Sequence, residues 1–297
     1  MALAISRAKK HKLRCGRFSF ELGERTYIMG VLNRTPDSFS DGGKFMDEEA
    51  AFLHALQMAK DGADIIDIGG ESTRPGLGSV CLEDELDRTI PIVERITKEI
   101  DIPVSIDTSK HEVALRAIRA GASMVNDITG LKGDPKMAEA ISGFDVTVCL
   151  MHIKGTPKNM QDNPVYGDLM AEIKESLQES IDIAIFAGID PEKIIVDPGI
   201  GFGKTAEHNM AIINRLLELK TLGKPICIGT SRKSFIGNVL AREVSDRIFG
   251  TAATCALAIM NGADIVRVHD VKEMADVALM ADAIRGIKND LYVNRIR

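Results

Sequence analysis

No apolar run in this 297-residue sequence approaches the ~18 residues of a membrane-spanning helix, so no transmembrane segment and no membrane partner is expected. No hydrophobic stretch follows the basic residues Arg7, Lys9, Lys10, Lys12 and Arg14, so no secretory signal is expected, and residues 1–12 read as a flexible tail. Positive charge is not in excess. Lys and Arg number 37 against 43 Asp and Glu, a net charge of −6, which argues against general nucleic-acid binding. An anionic small substrate stays open, provided the cations are local. There is no Cys-x-x-Cys pair. The five cysteines, Cys15, Cys81, Cys149, Cys227 and Cys255, are odd in number and scattered, which predicts reduced thiols in a cytoplasmic protein. Neither His-Glu-x-x-His nor a metal-spaced Cys/His cluster occurs, so a dedicated zinc site is not expected. No shift in composition marks a boundary, and residues 13–297 read as one domain.

What is present is an alternation. Hydrophobic residues make up 45% and charged residues 27%, ordinary for a globular protein. Short apolar runs without internal alternation predict strands buried on both faces at 28–32, 65–68, 104–106, 124–125, 146–150, 194–196, 226–228 and 265–268. Between them, helical patterns fall at 47–60, 83–99, 110–119, 135–141, 169–186, 207–220, 246–260 and 272–287. A repeat supports the count: Lys60-Asp-Gly-Ala-Asp-Ile-Ile returns as Arg119-Ala-Gly-Ala-Ser-Met-Val and Asn261-Gly-Ala-Asp-Ile-Val, with Phe186-Ala-Gly-Ile-Asp as a variant. Each Gly stands where a helix would close in a left-handed cap. Eight such units predict an α/β fold, a (β/α)8 TIM barrel, with a doubly wound open sheet as the alternative. Residues 13–24 alternate around a Gly-bearing turn and predict an N-terminal β-hairpin capping one end.

In such barrels the site lies at the carboxyl ends of the strands. Those ends read Asn33, Asp67, Asp107, Asn126 with Asp127, His152, Asp197, Thr230 with Ser231, and His269 with Asp270. All eight are polar, which predicts a polar pocket at one rim. Two connections, 33–46 and 69–82, are long and Gly-rich, carry Arg34, Asp37, Asp41, Thr73 and Arg74, and read as mobile lids. Asp197-Pro-Gly-Ile-Gly-Phe-Gly-Lys-Thr205 approaches a phosphate loop but has Pro198 where the first Gly belongs. Its glycines better serve close approach to a flat ligand, with Phe202 beside it. Arg267 and His269, two apart on a strand, face one side and predict a cation and an imidazole at the mouth. Asn33 could offer one oxygen to a magnesium ion otherwise held by phosphates. His11, His54, His111 and His208 fall in the tail or in helices and carry no functional expectation.

From about residue 13 to residue 287 the sequence resembles the dihydropteroate synthases. The resemblance rests on Asn33-Arg-Thr-Pro-Asp-Ser-Phe-Ser-Asp-Gly-Gly43, Asp67-Ile-Gly-Gly-Glu-Ser-Thr-Arg-Pro-Gly76, Ser105-Ile-Asp-Thr108, Asn126-Asp-Ile128, Leu150-Met-His152, Asp197-Pro-Gly-Ile-Gly-Phe202, Gly229-Thr-Ser-Arg-Lys-Ser234 and Arg267-Val-His269. It implies the same barrel, and a magnesium-dependent, sulfonamide-sensitive transferase of folate biosynthesis that joins a dihydropterin methyl diphosphate to para-aminobenzoate. It implies that Asp107, Asn126, Asp197 and Lys233 bind the pterin, with Ile128 and Met151 on its face. Asn33, Arg267 and His269 would hold the diphosphate and its magnesium. Thr73, Arg74, Pro75, Phe202 and Ser234 would surround para-aminobenzoate, and Asp41 would belong to the closed first loop. Asp107, Asp197, Lys233, Arg267 and His269 are thus the expected catalytic residues, and a homodimer is the expected assembly. If diphosphate leaves before the amine attacks, buried Asp107 and Asp197 would stabilise a pterin methylene cation. The chain departs from the family at Arg34, where an apolar residue, often Val, is usual. Arg34 is expected either to point into solvent or to fold over the diphosphate. The alternative function is a pterin-binding methyltransferase that passes a methyl group to a corrinoid protein. It shares Asp107, Asn126 and Asp197 but does not need Lys233, Arg267 or His269.

Overall fold

A hairpin and eight parallel strands build the molecule from one rule: residues two apart on a strand face the same side. The computed structural model describes residues 11–34, 44–72 and 80–287, with only the backbone of 44–47. Strands β1 (His11–Cys15) and β2 (Phe18–Leu22) pair antiparallel around Gly16, whose φ of +55° makes the tight turn. The barrel strands are β3 (Tyr27–Asn33), β4 (Ile65–Gly69), β5 (Val104–Asp107), β6 (Met124–Asp127), β7 (Thr147–Met151), β8 (Ile194–Asp197), β9 (Cys227–Ile228) and β10 (Ile265–Val268). They pair in parallel in the order β8-β7-β6-β5-β4-β3-β10-β9, and a parallel bridge from Val196 to Ile226 closes the ring.

Along β4 the alternation assigns three layers. Ile65 points inward and joins Met29, Met124, Cys149, Ile195 and Ile265 at the barrel floor, where Leu13, Cys15, Phe20 and Leu22 of the hairpin plug it. Ile66 and Ile68 point outward into the core shared with the helices. Asp67, between them, is left to the interior above the floor. Strand β10 repeats this with Ile265 inside, Val266 and Val268 outside, and Arg267 above the floor. The hairpin therefore closes the amino end and leaves the carboxyl end open, as the sequence predicts.

The helices are α1 (Lys44–Lys60), α2 (Leu82–Glu99), α3 (His111–Arg119), α4 (Met137–Ser142), α5 (Leu169–Phe186), α6 (Ala206–Asn214), α7 (Ser234–Leu240), α8 (Ile248–Met260) and α9 (Val271–Ile284). The repeated glycines Gly62, Gly121, Gly188 and Gly262 all have φ between +94° and +108°, the left-handed cap their motif predicts. Two departures from expectation have physical causes. The helix expected at 207–220 ends at Asn214, and Leu216–Leu222 continues as a 3-10 turn. Leu216, Leu219 and Leu222 are three apart, so the tighter winding keeps all three against the core. Helix α7 has no counterpart in the expected pattern. It is seven residues long and interrupted by Gly237, where a Cβ would meet the Arg247 guanidinium at 2.2 Å. Among the described residues no helix is long and apolar enough to cross a membrane.

Candidate active site

The open rim brings together residues from five strands around one guanidinium. Arg267 donates from Nε to Asp67 Oδ2 and from Nη2 to Asp107 Oδ2, each at 2.6 Å. Asn126 Nδ2 donates to the same Asp67 oxygen at 3.2 Å. Burial raises the Asp107 carboxyl to about 7; Arg267 pulls it down, while Asp67, Glu85 and Asp127 push it further up. Burial opposes the charge on Arg267, but its two carboxylates hold it more firmly protonated than a free arginine. Burial also raises Asp197, whose Oδ1 accepts from the Gly199 amide at 2.7 Å. Lys233 is lowered to about 8 by burial and by Arg267, against the pull of Asp197 and Asp107. Its ammonium lies 4.2 Å from the centre of the Phe202 ring.

His269 carries no charge here. Burial, then Arg267 and Arg232, bring it down to about 3. Its ring lies 3.0 Å from Ser231 Oγ at Nδ1 and 3.5 Å from Asn33 Nδ2 at Nε2. The tautomer that satisfies both donates from Nδ1 to Ser231 and accepts at Nε2. Ser231 and Lys233 flank Arg232, a non-glycine residue at φ +57°. That costly conformation is secured by the pairing of Arg232 with Asp270 and by its amide donating to Thr251 Oγ1 at 3.1 Å.

One wall is apolar: Ile128, Met151 and Phe202 form a buried cluster with Met160. Met160 was not expected. It comes from the β7–α5 connection, residues 152–168, a third long loop besides the two expected lids. Gln161 Nε2 and Tyr166 Oη tie it to the carbonyls of Gly201 and Gly203 at 2.7 and 2.8 Å. Ser234 stands exposed at the start of α7. Thr73, Arg74, Pro75 and Asp41 lie outside the described residues.

Arg34 corrects the expectation of a solvated side chain. It is 8% exposed, and its Nε donates to the carbonyl of Arg88 in α2 at 3.2 Å. Arg88 in turn reaches the carbonyl of Gly70 at 3.0 Å, so both lid roots are tied to one helix. Below them Glu85, fully buried, accepts from Thr108 Oγ1 at 2.6 Å and from Lys110, which also pairs with Glu71.

Sequence reasoning missed a buried lysine. Lys204, 2% exposed, donates to His152 Nδ1 at 2.8 Å and to the carbonyl of Phe202 at 3.0 Å. Burial lowers it to about 7, and lowers His152 to about 2, with Lys204 adding to the latter. Its type gave no signal, since a lysine alone reads as surface. The fold also gathers His111, Glu112 and Asp134, but Asp134 already accepts from the His111 amide and ring at the start of α3.

This is a barrel enzyme's site, with carboxylates, an amide and a guanidinium bonded to one another at the rim and an apolar wall beside them. The profile of the family described as pterin binding enzyme matches residues 29–269. A dihydropteroate synthase of Synechocystis is 51% identical over 91% of this chain and 93% of its own. The crystal structure of the Yersinia pestis dihydropteroate synthase with a sulfonamide drug complex superposes with a TM-score of 0.88, at 43% identity, over 93% of this chain and 99% of that one. That of the Xanthomonas albilineans dihydropteroate synthase in complex with 7,8-dihydropteroate gives 0.84 at 39% identity, over 93% and 100%. The chain belongs to the pterin binding enzyme family, among the dihydropteroate synthases.

Proposed function

We propose that this chain condenses a dihydropterin methyl diphosphate with para-aminobenzoate, giving 7,8-dihydropteroate and diphosphate. The observation that carries the reading is the meeting of Asp107, Asn126, Asp197 and Lys233 with the apolar wall of Ile128 and Met151. A pterin is flat, and its amino-pyrimidine edge presents paired N–H donors that a carboxylate accepts well. Asp107 and Asp197 bind that edge and stabilise positive charge on the pterin methylene as diphosphate leaves. Arg267, His269 and Asn33 hold the diphosphate. Burial brings His269 down to neutral, and it donates to the diphosphate by moving its proton from Nδ1 to Nε2, with Ser231 Oγ then donating to Nδ1, so Arg267 is the main cation there. Phe202 and Ser234, with Thr73, Arg74 and Pro75, take para-aminobenzoate, and Asp41 joins the first lid. Excluding water protects the cation from hydrolysis. The similarity to dihydropteroate synthases over nine-tenths of the chain sets the corrinoid methyltransferase alternative aside.

The side chains fit a magnesium ion carried in on phosphate oxygens. Asn33 offers one neutral amide oxygen beside His269, which suits a substrate-borne ion more than one caged by protein alone. When bound, the ion would lower the charge of the leaving diphosphate. A homodimer is supported by the exposed apolar side chains of α7 and α8, Val239, Phe249 and Leu257, at 58%, 84% and 55% exposure. The five free cysteines, four of them buried, suit a reducing compartment.

The test is incubation with the pterin diphosphate, magnesium and labelled para-aminobenzoate. Labelled dihydropteroate with equimolar diphosphate is the expected outcome. Its absence from a folded preparation refutes the reading.

A further inference from the structure

Arg267 has two calls on it, because the guanidinium that would meet the diphosphate also donates from Nη2 to Asp107 Oδ2. A guanidinium N–H on a carboxylate imitates the amino-pyrimidine edge of a pterin. The pterin and Arg267 therefore compete for one carboxylate. Arg267 holds only Oδ2 of Asp107, so a pterin edge that takes both oxygens displaces it, and it must then remain near enough to meet the diphosphate.

We infer that Asp67 is the positioning residue that makes this exchange possible, holding Arg267 by Nε and Asn126 by Nδ2 while Arg267 Nη2 passes from Asp107 to the diphosphate. This rests on the function proposed above. Asp67 is fully buried on β4, and one of its oxygens serves both partners. Its other oxygen, Oδ1, makes no hydrogen bond among the described residues, and neither does Oγ of Ser105, its register partner on β5. The charge of Asp67 is thus met through Oδ2 alone, by Arg267. A carboxylate kept only for packing would have no need of charge at this depth, where burial without a partner is costly. The Nε contact also leaves the far end of the guanidinium free to swing while its near end stays fixed. The contact to Asn126 holds that amide with its nitrogen toward Asp67, which turns its oxygen toward the pterin as an acceptor.

Two consequences separate this role from a structural one. In the wild-type enzyme, diphosphate draws Arg267 from Asp107 and so prepares the pterin site. Inorganic diphosphate with magnesium should tighten the binding of 6-hydroxymethylpterin, and the reverse, by about fivefold or more. In Asp67→Asn, Arg267 has Asp107 as its remaining carboxylate partner and should close on it. KM for the pterin diphosphate should rise about tenfold or more, while KM for para-aminobenzoate stays within about twofold. The choice of variant sharpens the test. Asn matches the shape of Asp67 without its charge, and Glu keeps the charge in a longer chain. Positioning through charge predicts that Asp67→Glu recovers much of the pterin KM and Asp67→Asn does not; packing predicts the opposite order.

Calorimetry on the wild-type protein and steady-state kinetics on both variants decide it. Absence of coupling between diphosphate and hydroxymethylpterin, equal shifts in both KM values, or better function in Asn than in Glu would each overturn the proposal. Should neither variant fold, the wild-type coupling still decides. A wild-type enzyme that makes no dihydropteroate would instead refute the function, whichever way Asp67 behaves.

Discussion

At the scale of the residue, the site sets its own pH range. Asp107 is raised to about 7, and the proposed function needs it ionised to accept the pterin edge and to face a cation. Below that pH its protonated form accumulates, so kcat/KM for the pterin diphosphate should fall about tenfold per pH unit. Lys233, lowered to about 8, loses its charge above that pH, and the same parameter should fall again. The free-enzyme profile is therefore expected to be a narrow bell with its maximum between the two values. A flat profile from pH 6 to 9 would mean that neither ionisation governs substrate capture. Arg34 makes a second case. Since it is buried and bonded to the Arg88 carbonyl, Arg34→Val should remove about 1 kcal/mol of stability and lower Tm by a few degrees. Diphosphate affinity by calorimetry should change less than twofold; a tenfold loss would return Arg34 to the mouth. The sequence marked Arg34 as unusual but could not show its direction. Its carbonyl partner, 54 positions away, has no signature in side-chain type.

At the scale of the element, the loop after β8 is the part most closely fitted. Gly199 has φ +70°, and a Cβ there would stand 1.9 Å from the His152 carbonyl oxygen, so the loop is pressed onto the end of β7. Lys204 clamps the same junction through His152 and the Phe202 carbonyl. Lys204→Met keeps the length and loses these bonds. It should raise KM for para-aminobenzoate several-fold, because Phe202 is freed, and alter KM for the pterin diphosphate less than twofold. Equal rises in both would assign Lys204 to the general stability of the barrel mouth. The glycines of this loop were legible as close approach, but the buried lysine was not, since lysine type alone reads as surface. Helix α7 escaped for a related reason. Seven residues with a glycine in the middle carry too little periodicity to register.

At the scale of the whole molecule, the fold was the most legible part. Strands buried on both faces write uninterrupted apolar runs, and the left-handed glycine after a helix repeats with the barrel unit. The rim residues were legible because the topology fixes where strand ends point. What stayed hidden was which rim residues touch. Asp67 read as one polar strand end among eight until the ring closed and placed it against Arg267. The apolar side chains left on α7 and α8 belong to this scale too. Phe249→Asp should convert a dimer into a monomer of 32.3 kDa in light scattering after size exclusion. A wild-type protein that is already monomeric at micromolar concentration would remove that assembly.

The account turns on two buried carboxylates that bind a pterin and bear the charge of its departure. The most direct measurement is kcat for labelled dihydropteroate formation by the wild-type enzyme, Asp107→Asn and Asp197→Asn, with pterin binding by calorimetry on the same preparations. The account predicts product from the wild type. It predicts that each variant folds and binds a pterin measurably, with kcat lower by about a hundredfold or more, as for removal of one preorganised electrostatic group. Product formation at an unchanged kcat in either variant would contradict it.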